Sequence, residues 1–189
     1  MDQFVCVVLP VHNGQSILRH QVIGLMEVMS EIAKEFEIRI VDDASTDATF
    51  EVADDLAVEY PQISVQRLGT RHGMTRAAES AVRQSDANIV FVCDIYEPIS
   101  HASLIELWKM RDDQELVLAR SRPSKSINLQ DRLDSSHGVR MLRRPEVTRT
   151  PSARNDGGRI DRVTRADLAK SGIAVTDPQY IQVVNDMID

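Results

Sequence analysis

The stretch IRIVDDASTDAT, residues 38–49, joins a short apolar run to small polar residues and then to the start of a helical pattern. The apolar part predicts a buried strand over Glu37–Asp42. Ser45, Thr46 and Asp47 are typical helix N-caps, so a helix is expected from Ala48 to Glu59. A strand that passes directly into a helix is the repeating unit of α/β proteins.

The same alternation extends outward in both directions as far as residue 120. The predicted strands are Phe4–Leu9, Glu37–Asp42, Ile63–Leu68, Asn88–Asp94 and Glu115–Arg120. The predicted helices are Leu18–Phe36, Ala48–Glu59, Gly73–Ser85 and Ser103–Met110. We expect Pro10 to end the first strand, because proline has no N–H for a sheet ladder. Alternating strands and helices predict an α/β fold with a mostly parallel central sheet and helices on both faces.

Beyond Arg120 the pattern is less regular. We predict a strand and turn in VRMLRRPEV, residues 139–147, and a short helix in RIDRVTRADLAKSG, residues 159–172, closed by Gly172. IAVTD, residues 173–177, is predicted to be a final strand.

Composition narrows the class of protein. The net charge of −7 argues against general nucleic-acid binding. Residues 120–170 nevertheless contain 13 lysines and arginines against 6 acidic residues, which indicates either an anion-binding region or a solvated basic face. No apolar run reaches the roughly 20 residues of a membrane helix, and no signal peptide is recognisable. We therefore expect a cytoplasmic protein, with docking at a membrane surface left open. Cys6 and Cys93 lie in apolar strands and are predicted to be reduced core thiols.

Four polar motifs follow the ends of the first four predicted strands. Ligands of open parallel sheets bind beyond these carboxyl ends. Turn chemistry alone explains any one motif, but four motifs at one edge predict a binding cleft. The residues concerned are Pro10, His12, Asn13, Asp42, Asp43, Arg71, Gly73 and Asp94.

The residue types suit a nucleotide. Asp42 or Asp43 can accept hydrogen bonds from a base imide or ribose hydroxyls, and Arg71 can stack on or bond to a base. Gly73 allows close backbone approach before a helix N-terminus that favours anions. Neither a dinucleotide-binding glycine motif nor a P-loop is present.

Three stretches together resemble glycosyltransferase family 2: VVLPVHNGQSIL, IRIVDDASTDAT and RHGMTRAAESAVRQSDANIVFVCD, at residues 7–18, 38–49 and 71–94. His12 replaces the family's usual Tyr, Ala44 its Gly and Arg71 its Asn. GVRMLRRPEV and RADLAKSGIAV are weakly similar to the dolichyl-phosphate-mannose-synthase-like branch.

The resemblance implies a Rossmann-like nucleotide-diphospho-sugar transferase (GT-A) fold. It implies a UDP- or GDP-type donor, with Pro10, His12 and Asp43 around the base and Asp42 and Arg71 nearby. It also implies a divalent cation, Mg²⁺ or Mn²⁺, held by a D-x-D motif at the end of the fourth strand. The acceptor is unknown, and a phospholipid carrier is one candidate.

The D-x-D motif is degenerate. If Asp94 is its first aspartate, Tyr96 replaces the second; in the other register Cys93 and Ile95 occupy the two positions. Hard cations prefer oxygen ligands, so Asp94 and Glu97 are the candidate metal ligands. Arginines offer a different way to stabilise a diphosphate, and the candidates are Arg120, Arg122, Arg140, Arg143 and Arg144.

The catalytic base is unknown. Asp131, Asp134, Asp156 and His137 are candidates by position only.

The motifs and the resemblance together predict a nucleotide-sugar-binding core over residues 1–120 and an acceptor-side segment over residues 121–189 of the same domain. We expect the protein to transfer a sugar from a nucleotide-sugar donor or, alternatively, to bind a nucleotide or a protein partner without sugar transfer. A nucleotidyltransferase is disfavoured because PVHNGQS contains no Lys or Arg.

Overall fold

A computed structural model describes residues 3–97, 99–113, 116–121, 139–143 and 160–170. These residues form a seven-stranded sheet with helices on both faces. The strands are β1 (Val5–Val11), β2 (Phe36–Asp42), β3 (Ile63–Arg67), β4 (Ile89–Cys93), β5 (Leu116–Ser121), β6 (Val139–Arg143) and β7 (Ile160–Thr164). The helices are α1 (Leu18–Ile32), α2 (Thr49–Glu59), α3 (Met74–Gln84), α4 (His101–Lys109) and α5 (Arg165–Lys170).

The sheet has a parallel half and an antiparallel half. Its strand order is β3-β2-β1-β4-β6-β5-β7. The first four strands in that order pair in parallel, which confirms the mostly parallel core predicted for residues 4–94. Strand β6 is inserted between β4 and β5 and is antiparallel to both, and β7 pairs antiparallel with β5. The carboxyl ends of β1, β2, β3 and β4 therefore share one edge of the sheet.

Two apolar layers hold the helices against the sheet. One layer contains the buried side chains of α1, α2 and α4, represented by Leu25, Leu56 and Leu104. The other contains Ala77, Ala81 and their neighbours on α3. The small side chains of α3 allow close packing against β1 and β2, as the predicted apolar face of this helix requires.

Three local predictions were wrong. Strand β1 continues through Pro10 to Val11. Pro10 is tolerated there because the pairing of β1 with β4 already ends at Val8, so no hydrogen bond to β4 requires the N–H that proline lacks. Phe36 begins β2 instead of extending α1. The first part of residues 159–172 forms β7, since pairing with β5 overrides the local helical pattern.

Both cysteines are buried and unpaired, which confirms their prediction as core thiols. Burial raises the pKa of Cys6 to about 12 and also raises the pKa of Cys93. Within the described residues no helix is long and apolar enough to cross a membrane. The predicted strand over residues 173–177, the closing Gly172, and Arg122, Asp131, Asp134, His137, Arg144 and Asp156 lie outside the part of the chain that the structure describes.

Candidate functional site

Hydrogen bonds join the loop that follows β1 to the loop that follows β2. The Asn13 side-chain oxygen accepts the Thr46 N–H at 2.8 Å, and the Asn13 N–H donates to Ser45 Oγ at 2.9 Å. Asn13 and Ala44 both have positive φ angles, 57° and 54°. Asparagine tolerates this left-handed conformation better than alanine does. The positive φ explains why glycine would suit position 44. It also gives Asn13 a second role, because asparagine tolerates this backbone conformation in addition to providing a side-chain hydrogen-bond acceptor.

Gly14 lets these loops approach closely. Its N–H donates to Thr49 Oγ1 at 2.8 Å, which links the first loop to the start of α2. A Cβ at Gly14 would lie 2.7 Å from Val11 Cγ2 and 2.9 Å from Ile95 Cδ1. Neither distance is compatible with ordinary packing, so only glycine fits without displacement of its neighbours.

The buried Asp43 carboxylate positions the segment before α3. One oxygen accepts the His72 N–H at 2.7 Å, and the other accepts the Gly73 N–H at 2.8 Å. Gly73, with a φ of 91°, is the N-cap of α3 and provides no side-chain cap. Asp43 therefore holds the loop that presents the amino end of α3 at the edge of the sheet.

The backbone oxygen of Asp43 also orients His12. It lies 2.8 Å from His12 Nδ1, so this nitrogen must carry the proton. The other ring nitrogen, Nε2, lies 3.3 Å from the Asn13 amide nitrogen and accepts from it in this tautomer. His12 is thus held in place beside the ends of β1 and β2.

Asp42 is also fully buried. Its Oδ1 accepts the Ser45 N–H at 3.0 Å, and its Oδ2 lies 3.3 Å from Arg67 Nε without accepting a hydrogen bond. Arg67 is half-exposed and stacks over the Phe50 ring, 4.7 Å from its centroid. Neither aspartate side chain is exposed, and both hold loop backbone N–H groups by hydrogen bonds. Direct contact between these carboxylates and a base stays a prediction.

The end of β4 distinguishes the two registers of the degenerate D-x-D. Cys93 and Ile95 are fully buried in the core layer that contains α1. Asp94 and Tyr96 alternate with them on the exposed side of the chain, and Asp94 Oδ1 accepts the Tyr96 N–H at 2.9 Å. Only the register with Asp94 first and Tyr96 last therefore places both motif residues outside the core layer that buries Ile95.

The Tyr96 hydroxyl bonds to the backbone of His12. It accepts the His12 N–H at 3.0 Å and donates to the His12 carbonyl oxygen. The described residues contain no group of three or more His, Cys, Asp or Glu side chains that could hold a metal ion. Asp94 thus provides one carboxylate beside a phenol, and the described residues do not form the oxygen cage that a protein-held Mg²⁺ or Mn²⁺ requires.

A cavity lies between α3 and the adjoining ends of β1, β4 and β6. Among its lining residues are Pro10, Met74, Thr75, Asp94 and Arg140. The first turn of α3 contributes backbone N–H groups and the positive end of the helix dipole. Arg140 and the helix N-terminus suit a phosphate group, and the carboxylates of Asp94 and Glu79 line the same cavity.

Arg140 and Arg143, two of the arginines of the basic residues 120–170, lie near opposite ends of their strand, β6. Arg140 pairs with Val92 near the carboxyl end of β4, whereas Arg143 pairs with Ile89 at its amino end. Arg143 also donates to the Asp113 carbonyl oxygen at 2.8 Å. Antiparallel pairing of β6 thus places two of the candidate arginines, Arg140 and Arg143, toward opposite edges of the sheet, and only Arg140 lies near Asp94.

The predicted site residues separate into three sets. Pro10 and Asp94 line the cavity, His12 and Asn13 form the loop beside it, and Asp42, Asp43 and Gly73 support the loops. Arg71 is exposed immediately before that supported segment, and Glu97 is half-buried after β4. Sequence reasoning missed the roles of Ser45, Thr46, Arg67 and Tyr96 in this arrangement, whereas Arg140 was among its candidate diphosphate ligands. The only signal for Tyr96 was its place in the degenerate motif.

The fold and the polar edge define a nucleotide-diphospho-sugar transferase (GT-A) architecture. Residues 6–95 match the family described as Glycosyl transferase family 2. This segment, a little under half of the chain, is therefore similar to glycosyltransferase family 2, as its sequence motifs predicted. No curated protein sequence matches the chain closely enough to count as a relative.

Solved structures agree with the fold. A mannosyltransferase of Pyrobaculum calidifontis, PcManGT, in complex with GDP-Man and Mn²⁺, superposes with a TM-score of 0.59 at 21% identity; the match covers 74% of this chain and 44% of that one. S. aureus TarS superposes with a TM-score of 0.57 at 18% identity, over 74% of this chain and 46% of that one. A TarS structure in complex with UDP-GlcNAc gives a TM-score of 0.52 at 20% identity, over 66% and 36% of the two chains. The chain thus spans less than half the length of these neighbours.

Proposed function

We propose that the chain binds a nucleotide-diphospho-sugar of the UDP or GDP type and transfers its sugar to an acceptor. His12, Asn13 and Arg71 surround the nucleoside in this proposal, and Asp42 and Asp43 support them. The sugar donors bound by PcManGT and TarS support the choice of ligand class. Residues 1–120 form the donor-binding core, and residues 121–189 contribute the acceptor side of the same domain.

The observation that carries the proposal is the cavity at the end of β4. It combines the amino end of α3 with Arg140 and lies beside the loop of His12. A diphosphate in the cavity would meet the positive end of the helix dipole and a guanidinium that can bond two oxygens at once. A nucleoside attached to that diphosphate would reach the neighbouring β1 and β2 loops.

A matched pair of arginine variants tests this placement. Thermal shift would be measured against UDP-, GDP-, CDP- and dTDP-sugars, each with and without Mn²⁺. We expect stabilisation of the wild type by at least one of these donors and its loss in Arg140→Gln. Arg143→Gln, on the same strand but at the opposite edge, should respond like the wild type. No stabilisation of the wild type by any donor, or equal responses of the two variants, would contradict the proposal.

The remaining partners follow from the same proposal. A phospholipid carrier is the candidate acceptor, and the protein would then act in the cytoplasm at a membrane surface. The sequence names Asp94 and Glu97 as the candidate oxygen ligands for a Mg²⁺ or Mn²⁺ ion, and the comparison of donors with and without Mn²⁺ tests whether such an ion takes part. Such an ion would neutralise diphosphate charge when bound.

A second candidate function is nucleotide binding without transfer. It is favoured by the replacement of one D-x-D carboxylate by Tyr96, whose hydroxyl is engaged by His12. Hydrolysis of the stabilising nucleotide-sugar, measured by release of nucleoside diphosphate, distinguishes the two functions. Release above that of an Arg140→Gln control indicates an enzyme, and binding without release indicates a binding module.

A further inference from the structure

Tyr96 connects two parts of the site that are far apart in sequence. Its hydroxyl bonds both backbone groups of His12, 84 residues away, as acceptor from the N–H and donor to the carbonyl. Its own N–H donates to Asp94 Oδ1 at 2.9 Å. One side chain thus ties the end of β4 to the loop after β1.

The packing around this contact is tight. A Cβ at Gly14 would lie 3.4 Å from the Tyr96 hydroxyl oxygen and 2.9 Å from Ile95 Cδ1. The turn after β4 therefore lies directly against the His12–Gly14 loop. The Tyr96 ring cannot be exchanged for a shorter side chain without loss of the contact to His12.

The same geometry makes the position unsuitable for a cation. The Tyr96 hydroxyl donates its proton to a carbonyl oxygen, so it is a neutral phenol and lacks the charge of the carboxylate expected there. The motif then offers a hard divalent ion one carboxylate, Asp94, and the described residues form no cluster of three metal-ligating side chains. The ion expected from the family resemblance therefore does not fit the residues present.

We propose that Tyr96 is a positioning residue that fastens the His12–Gly14 loop to the end of β4 and makes nucleotide binding independent of a divalent cation. The inference rests on the proposed nucleotide site and adds how its loop is held. The diphosphate charge would be met by Arg140 and the amino end of α3, both of which line the adjoining cavity.

The test compares nucleotide affinity and metal binding in three proteins. Calorimetric titration with UDP and with GDP would be carried out in MnCl₂ and in EDTA. We expect wild-type affinities that agree within about twofold between the two buffers, and a loss of about tenfold in both for Tyr96→Phe, which retains the ring but loses two hydrogen bonds. Tyr60→Phe, the same change at the end of α2, should match the wild type.

A second measurement uses Mn²⁺ alone, without nucleotide. Electron paramagnetic resonance should detect no bound Mn²⁺ in the wild type and bound Mn²⁺ in Tyr96→Asp, which restores the second carboxylate. That variant should also bind nucleotide more tightly in MnCl₂ than in EDTA. If Tyr96 had only a structural role, Tyr96→Asp would change the melting temperature but would not make nucleotide binding depend on Mn²⁺.

The possible results separate the inference from the proposed function. Tighter binding of nucleotide by the wild type in MnCl₂ by about tenfold or more, or unchanged affinity in Tyr96→Phe, would overturn the role of Tyr96. Bound Mn²⁺ in the wild-type protein without nucleotide would also overturn it. No nucleotide binding by any protein in either buffer would refute the proposed function itself.

Discussion

Replacement of Asp43 by asparagine should destabilise the protein strongly although it changes one atom. Both carboxylate oxygens are buried and accept backbone N–H groups, from His72 and Gly73, at 2.7 and 2.8 Å. An amide can serve only one of these donors, and its NH₂ group would face the other. A hydrogen bond to a charged group contributes about 1.5–3 kcal/mol, and an unsatisfied buried donor costs about 1–3 kcal/mol.

We therefore expect Asp43→Asn to lower the free energy of unfolding by about 2–4 kcal/mol. Because single domains are stable by only about 5–15 kcal/mol, this change would be a large fraction of the total. Urea unfolding followed by circular dichroism measures it, provided that the slope with denaturant stays unchanged. Hydrogen exchange at the His72 and Gly73 amides should become faster in the variant.

Asp86→Asn is the matched control, because Asp86 is exposed between α3 and β4. It removes the same charge and should change stability by less than about 0.5 kcal/mol. If Asp43→Asn were as stable as this control, or if the two amides kept their protection, the assignment of Asp43 as the support of this segment would be refuted.

Three further perturbations test the surrounding geometry. Ala44→Gly should raise stability by about 0.5–1 kcal/mol in urea unfolding, because the φ of 54° is strained for alanine; an equal or lower midpoint would contradict this. Gly14→Ala should lower stability by about 1–3 kcal/mol in the same assay, since its Cβ would lie 2.7 Å from Val11 Cγ2; a neutral effect would show that the loop can relax. The hydrogen bond from the Thr164 hydroxyl lowers the pKa of Asp167 below its usual 3.8. The stability that this hydrogen bond contributes is therefore present above that pH and is lost as the pH falls through the lowered pKa of Asp167. Thr164→Val should return the Asp167 pKa toward 3.8 in a carboxyl-detected NMR titration, and an unchanged value would exclude this hydrogen bond as the cause.

The sequence predicted most of the parallel half of the fold. The apolar runs of β1 and β4 are buried along their whole length, and continuous burial requires cover on both faces of the sheet. The helical stripe through Leu18, Val22 and Leu25 likewise became the buried face of α1. These features depend on periodicity within one segment, which the sequence displays directly.

The site was predicted less completely. The sequence identified the polar strand ends, because small and acidic residues directly after an apolar run are visible without a partner. It did not reveal that the Asp43 carboxylate faces two backbone N–H groups, or that Tyr96 bonds to His12. These contacts join residues 29, 30 and 84 positions apart, and no local pattern encodes them.

The sequence by itself determined the alternation of strands and helices, the buried strands, the edge at which the polar motifs meet, and the family that residues 6–95 resemble. Only the tertiary structure decided that β6 enters between β4 and β5, that Arg140 lies near Asp94 while Arg143 does not, and that Tyr96 bonds to the backbone of His12. The physical reason is that periodicity and turn propensity act over a few neighbouring residues. Strand partners and side-chain contacts depend on which distant segments the folded core brings together.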